Sequence, residues 1–205
     1  LRSVVEDMKS RCNVSGRTVQ VADKGLNCAR NIYAAVKEAD DGYIFSRSVH
    51  GRNLSKAEKQ WVLLEDDYAN RYTPYYDDNG NMKYKIKSCI DTFSYSFKET
   101  DADTGEIHTV SFSVKEKRIV SFNPALAEKH KAEIMKEIQK AGSYVTCKDI
   151  TREELGDSAK YISVKNLSSD GKKIKPDISL NYDKINEDMA LAGYNMIVTS
   201  ETDME

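Results

Sequence analysis

The segment TVQVADKGLN, Thr18 to Asn27, sets a short apolar, partly β-branched run against an acid, Asp23, with Gly25 two residues on. The run reads as a strand, apolar enough to be buried on both faces. Asn27 suits the N-cap of a helix over about Cys28 to Ala39, with Ile32, Val36 and Ala39 along one side. Asp40, Asp41 and Gly42 end that helix, and Tyr43 to Val49 (YIFSRSV) is the next strand. Upstream, Leu1, Val4, Val5 and Met8 recur with helical period before a turn at Asn13–Gly16. Helix, strand, helix, strand at this spacing makes an α/β unit whose two strands run parallel as neighbours. Asp23 then sits at the carboxyl end of a parallel strand, where open α/β sheets bind ligands. Hard divalent cations take oxygen ligands, and magnesium uses one or two carboxylates with water and phosphate oxygens. The competing reading is local, with Asp23 capping the loop or helix that follows.

Past Gly51 the pattern changes. Ser55 and Glu58 form a capping box for a helix carrying Trp61. Short alternating strands follow: Asn81 to Ser88, then FSYSFKET and EIHTVSFSVK as hairpin arms joined at Asp103-Thr104-Gly105, then Lys117 to Phe122. Asn123-Pro124 opens a long charged helix with Leu126, Ile134 and Ile138 as its apolar stripe and Gly142 as its stop. Thr151 to Glu154 is a second capping box, KYISVK a strand, and the stretch near Ser169 to Asp177 a loop. Asp183 can cap KINEDMALA, Gly193 closes that helix, and YNMIVTS is a last strand. There is no internal repeat. The expected fold is α/β with an α+β insertion: residues 1–50 as one part and a β-rich mixed domain over 51–205 that leads back towards it.

The chain has 205 residues and a formal net charge of −2, so no global basic field marks it as a nucleic-acid binder. No apolar run reaches membrane-spanning length, and the first residues lack the apolar core of a signal peptide. Cys12, Cys28, Cys89 and Cys147 form no C-x-x-C pair, which excludes a zinc-site spacing; Cys12 and Cys28 are expected to pack as small hydrophobes in a reducing, cytoplasmic setting. His50, His108 and His130 share no motif. The opening helix starts at full apolar strength and the last strand runs into SETDME without a stop signal, so both ends read as cuts through a longer fold.

The ordered set VADKGLNCARNI, GYIFSRSVHG, YISVKNL and LNYDKINEDMALAGYNMIVTSE resembles bacterial insertion-sequence transposases of the DDE superfamily. The branch is the one whose ribonuclease-H-like catalytic core is interrupted by a β-rich domain. The likeness spans most of the chain, although about Arg71 to Ser158 matches only in style. It implies a partial ribonuclease-H-like core over 1–50, with Asp23 as the second of three catalytic acids and a ligand for Mg2+ or Mn2+. It also implies action on the terminal inverted repeats of a mobile element, as a homodimer, with two ions about 3.5–4 Å apart clamping the scissile phosphate.

Two features depart from that pattern. The family's first Asp would precede Leu1, and Asp7 lies on the polar face of the opening helix. The third acid belongs to Tyr-x-x-Arg-x-x-x-Glu, whereas Tyr68 to Arg71 meets Tyr75 where the Glu should stand. Alone, the chain is therefore expected to be inactive. Lys83, Lys85 and Lys87 on one strand face, and Lys172, Lys173 and Lys175 in a loop, are the candidate DNA contacts, with solubilising lysines as the alternative. Two other classes remain open: a non-enzymatic α/β binding or assembly module, and a flavodoxin-like phosphate binder, against which stands the lack of a glycine-rich loop.

Overall fold

The computed structural model describes residues 1–51, 54–65, 71–147, 152–165 and 177–204. Two compact units result, Leu1–Phe122 with Asn195–Glu205, and Asn123–Tyr194.

The first unit opens with α1 (Arg2–Arg11), β1 (Val19–Ala22), a 3-10 turn (Lys24–Leu26) and α2 (Ala29–Tyr33), which widens into a π-turn over Ala34–Glu38. Then come β2 (Gly42–Arg47), α3 (Lys56–Leu63), β3 (Thr73–Tyr76), β4 (Met82–Thr100) and β5 (Ile107–Phe122). The last strand, β8 (Tyr194–Thr199), enters between β2 and β5, giving a six-stranded mixed sheet of order β1-β2-β8-β5-β4-β3. β1 and β2 are parallel, with Ala22 beside Phe45, as the helix-strand spacing requires. β8 runs antiparallel to β2.

Several sequence expectations change here. β1 is an edge strand, so it is not buried on both faces, and Val21 stays 76% exposed. The α1 residues Val4 and Met8 are exposed as well. α2 is capped at Cys28, while the Asn27 side chain donates to the Ser46 carbonyl at 3.0 Å and pins the loop to β2. The four short strands expected between Asn81 and Phe122 are two long ones, paired continuously from Lys85–Phe122 to Thr100–Ile107. Nothing in their sequence breaks the ladder before Asp101, where a turn with Gly105 at φ 71° closes the hairpin. Cys12 and Cys28 are exposed and do not pack as small hydrophobes.

The core of this unit joins Ile32 and Ala35 to Tyr43 and Phe45 of β2, Val62 of α3, and Val114, Val120, Met196 and Val198 of the sheet. Tyr33 places its ring edge-on against Phe97 and Phe112 at 5.4 and 5.2 Å, which fixes α2 over the β4–β5 ribbon. The expected capping box is present: the Ser55 hydroxyl accepts the Glu58 N–H, and the Ser55 N–H donates to Glu58.

Asp41 looked like a helix-ending residue, and its structural part is larger. Its carboxylate is buried and accepts from Lys9 Nζ at 2.7 Å, the Thr18 N–H at 2.8 Å and Gln20 Nε2 at 3.2 Å. One side chain thus ties α1 and β1 to the start of β2. Burial alone would raise its pKa, but these donors outweigh it and hold it at about 2, below the ordinary 3.8. The folded value is depressed, so the stabilisation is complete above the unfolded value and is lost as pH falls from about 3.8 to 2. Asp41→Asn is expected to lower unfolding free energy by about 2 kcal/mol at neutral pH. The gap between the two proteins should close as denaturant titrations are repeated down to pH 2; a constant gap would refute the linkage.

The second unit holds α4 (Pro124–Cys147), α5 (Arg152–Leu155) with a 3-10 turn (Gly156–Tyr161), the hairpin of β6 (Ile162–Lys165) and β7 (Asp177–Leu180), and α6 (Tyr182–Ala190). Asn123 caps α4 as expected, accepting the Leu126 N–H at 3.1 Å. The helix runs through Gly142 to Cys147, because Ala141 beside it is fully buried and the tertiary contact outweighs the glycine. Ile134, Ala141, Tyr161 and Ala192 form the core, and the Tyr161 hydroxyl donates to the buried Asp188 at 3.0 Å. α6 is capped by Asn181, two residues before the expected Asp183, which lies in the first turn. Gly193 has φ +85°, and a Cβ there would stand 2.8 Å from the Ala127 Cα, so glycine is required. The expected cap at Thr151 lies outside the described residues.

Candidate functional site

The parallel pair β1–β2 points its carboxyl ends at one crevice. At the end of β1, Asp23 is extended (φ −76°, ψ 167°), and its Oδ1 accepts the Lys24 N–H at 2.6 Å. It starts the 3-10 turn, since the Leu26 N–H donates to the Asp23 carbonyl at 2.9 Å. Asp23 thus caps a local turn, and its carboxylate is solvent-exposed at a strand end. The neighbouring crevice, about 170 Å³, is lined by Lys24, Asn27, Cys28, Arg47, Ser48 and Tyr95 among others. Two of these carry cationic side chains, which suits an anion beside the acid.

Behind the crevice lies a buried polar network that sequence reading missed. Arg47 donates to Glu58 and to the Tyr95 hydroxyl, each at 3.3 Å. The fully buried Glu116 accepts from the Tyr43 hydroxyl at 2.5 Å, the Tyr95 hydroxyl at 2.7 Å and Arg118 Nε at 2.7 Å. Arg118 also bonds Glu58, and its guanidinium lies 3.3 Å from the Phe93 ring centroid. Burial, and then the Glu116 carboxylate, raise the Tyr43 hydroxyl's pKa and push that of Tyr95 up to about 12, so both phenols stay protonated donors. A larger cleft, about 680 Å³, borders the network on the side of Trp61, Cys89 and Phe93. The network thus anchors Arg47, the residue on the crevice floor, to β4 and β5. A signal existed in the even spacing of Glu116 and Arg118 along a strand, which puts both charges on one face.

The candidate DNA contacts fare differently. Lys83 is exposed. Lys87 is buried: its ammonium donates to the Leu64 carbonyl at 2.8 Å and to the Trp61 carbonyl, capping the end of α3. Lys85 is ion-paired with Glu65 and lies 4.7 Å from the Tyr72 ring centroid. These two hold α3 to the sheet, so the three lysines do not make an open stripe. Lys172, Lys173 and Lys175, and Tyr68, lie outside the described residues. His130 Nδ1 accepts the Gly193 N–H at 3.3 Å, and His108 lies 3.7 Å from Glu99 across the hairpin.

Among the described residues, no group of three His, Cys, Asp or Glu side chains converges as a metal site. Asp23 can supply one oxygen ligand, and this donor set by itself does not make a two-ion centre. Among the described residues, no helix is long and apolar enough to cross a membrane. No protein-family model, curated protein or solved structure matches the chain.

Proposed function

We propose that this chain is part of a DDE transposase. In this reading, residues 1–50 belong to a ribonuclease-H-like core, and the parent protein cleaves and transfers DNA strands at terminal inverted repeats. Asp23 would be the second catalytic acid and a ligand for Mg2+ or Mn2+. The parent protein would act as a homodimer in the cytoplasm. The observation that carries the reading is the exposed Asp23 carboxylate at the carboxyl end of a strand parallel to its neighbour, beside Lys24 and Arg47. A second observation favours it: the outer edge of β1 pairs with no described strand, which leaves room for the strand bearing the family's first Asp.

A manganese titration tests the metal assignment. One carboxylate leaves most of the ion's shell as water, so weak binding is expected, with a small measurable weakening in Asp23→Asn. Tight binding indifferent to that substitution would remove Asp23 from the site. The case would then pass to the non-enzymatic binding module.

A further inference from the structure

β4 is paired on both sides only near its start. β3 covers it from Met82 to Ile86, while β5 follows it from Lys85 to Thr100. From Lys87 to Thr100 the other side of β4 meets no described strand. Such an edge is a row of backbone N–H and C=O groups at a fixed repeat, and another extended chain is the partner that matches it. Between Ser88 and Ser96 the edge lacks the lysines and prolines that ordinarily blunt one. The same stretch borders the cleft of about 680 Å³, with Cys89, Asp91 and Phe93 on the strand side and Glu58 and Trp61 of α3 opposite. Cys89, Phe93 and Trp61 are half-buried, so each keeps some surface free. An added strand lays every second side chain into this groove.

The charges in the groove say which strand fits. Glu58 is committed to Arg47 at 3.3 Å, to Arg118, and to the Ser55 N–H at 2.6 Å. Arg118 is committed to Glu58 and Glu116. Asp91 differs: among the described residues its carboxylate accepts only the Thr92 N–H, at 2.7 Å, and pairs with no cation. We propose that the free edge of β4 takes an extended peptide segment of a partner protein by β-strand addition along Ser88–Ser96. Its groove-side residues run apolar, basic, apolar, with the basic one facing Asp91 and the apolar ones against Trp61 and Phe93. A wholly apolar strand would bury the Asp91 carboxylate without a partner, so the acid also selects against indiscriminate pairing. The β4 strand of a second copy carries no cation from Ser88 to Phe97 and does not answer Asp91 over this stretch.

The test is fluorescence anisotropy of the whole chain with a fluorescein-labelled peptide centred on Val-Thr-Lys-Thr-Val. Saturable binding is expected. Glutamine in place of the peptide's lysine should weaken it about fivefold, and so should Asp91→Asn. The two changes together should cost no more than one alone, which isolates the pair. Asp103→Asn, at an exposed position of the hairpin tip, is the control for charge and should change little. Backbone pairing has its own signature: N-methylation of one alternate set of peptide amides should abolish binding, and N-methylation of the other set should leave it nearly intact. Absence of binding by the wild type overturns the proposal, as does an unchanged Asp91→Asn variant or equal effects of the two methylation patterns. Self-association of the chain that the peptide dissolves gives the edge to a second copy and overturns it as well. No readout here involves Asp23 or a metal, so this result and that of the manganese titration stand or fall separately.

Discussion

Under the proposed transposase reading, in a longer version that supplies two further acids, Asp23→Asn should reduce DNA strand cleavage by about 10³-fold. A metal clamp contributes several kcal/mol of transition-state charge stabilisation, and each 1.36 kcal/mol is tenfold in rate. The substitution is nearly isosteric. Asparagine can still accept the Lys24 N–H, so the turn at Lys24–Leu26 is expected to persist. Folding and cleavage should therefore separate: thermal unfolding unchanged, product formation lost on denaturing gels. A variant retaining near-wild-type cleavage would show that Asp23 is only a turn cap.

Glu116→Ala should destabilise the protein by about 3–5 kcal/mol, the cost of leaving a buried charge without its partner. Glu116 is fully buried and accepts three hydrogen bonds, and Arg118 beside it is equally withdrawn from water. Glu116→Gln keeps the shape and one acceptor but loses the charge, so its cost should be smaller. Replacing Glu116 and Arg118 together by leucine and methionine should recover much of the loss, because a packed apolar pair needs no counter-charge. The Tyr95 hydroxyl gives a second readout. Burial holds it up first and the carboxylate second, so its titration should move down from about 12 in a folded Glu116→Gln protein. Denaturant midpoints and phenolate absorbance decide both points. Equal stabilities for the alanine variant and the wild type would mean that solvent reaches the network.

The parts of this structure legible in the sequence are those written in neighbouring residues. The parallel β1–β2 pair follows from strand-helix-strand spacing, the α3 start from Ser55 and Glu58, and the α4 start from Asn123-Pro124. Periodicity reports which face a residue occupies; it does not report what meets that face. Lys83, Lys85 and Lys87 share a strand face as expected, yet the last caps α3, a helix some twenty residues away in the chain. Tyr43 and Glu116 are separated by 73 positions, and no local pattern in either strand announces the other. Asp41 sits in a plausible helix stop, and its partners Lys9, Thr18 and Gln20 all come from earlier elements. The apolar look of Val19 and Val21 suggested burial because composition cannot tell an edge strand from a central one.

The position of β8 bears on how the protein is made. It follows every other described strand in the sequence yet stands third in the sheet, where it separates β2 from β5. On the ribosome, β1–β2 and β3–β4–β5 emerge first as two partial sheets, each with an unsatisfied side. The intervening residues 123–194 close on local contacts and can fold meanwhile. Only when Asn195–Thr199 leaves the exit tunnel can the two partial sheets be joined. Sheet closure is thus a late, long-range step, and until then the exposed strand sides are the nascent chain's points of vulnerability to aggregation.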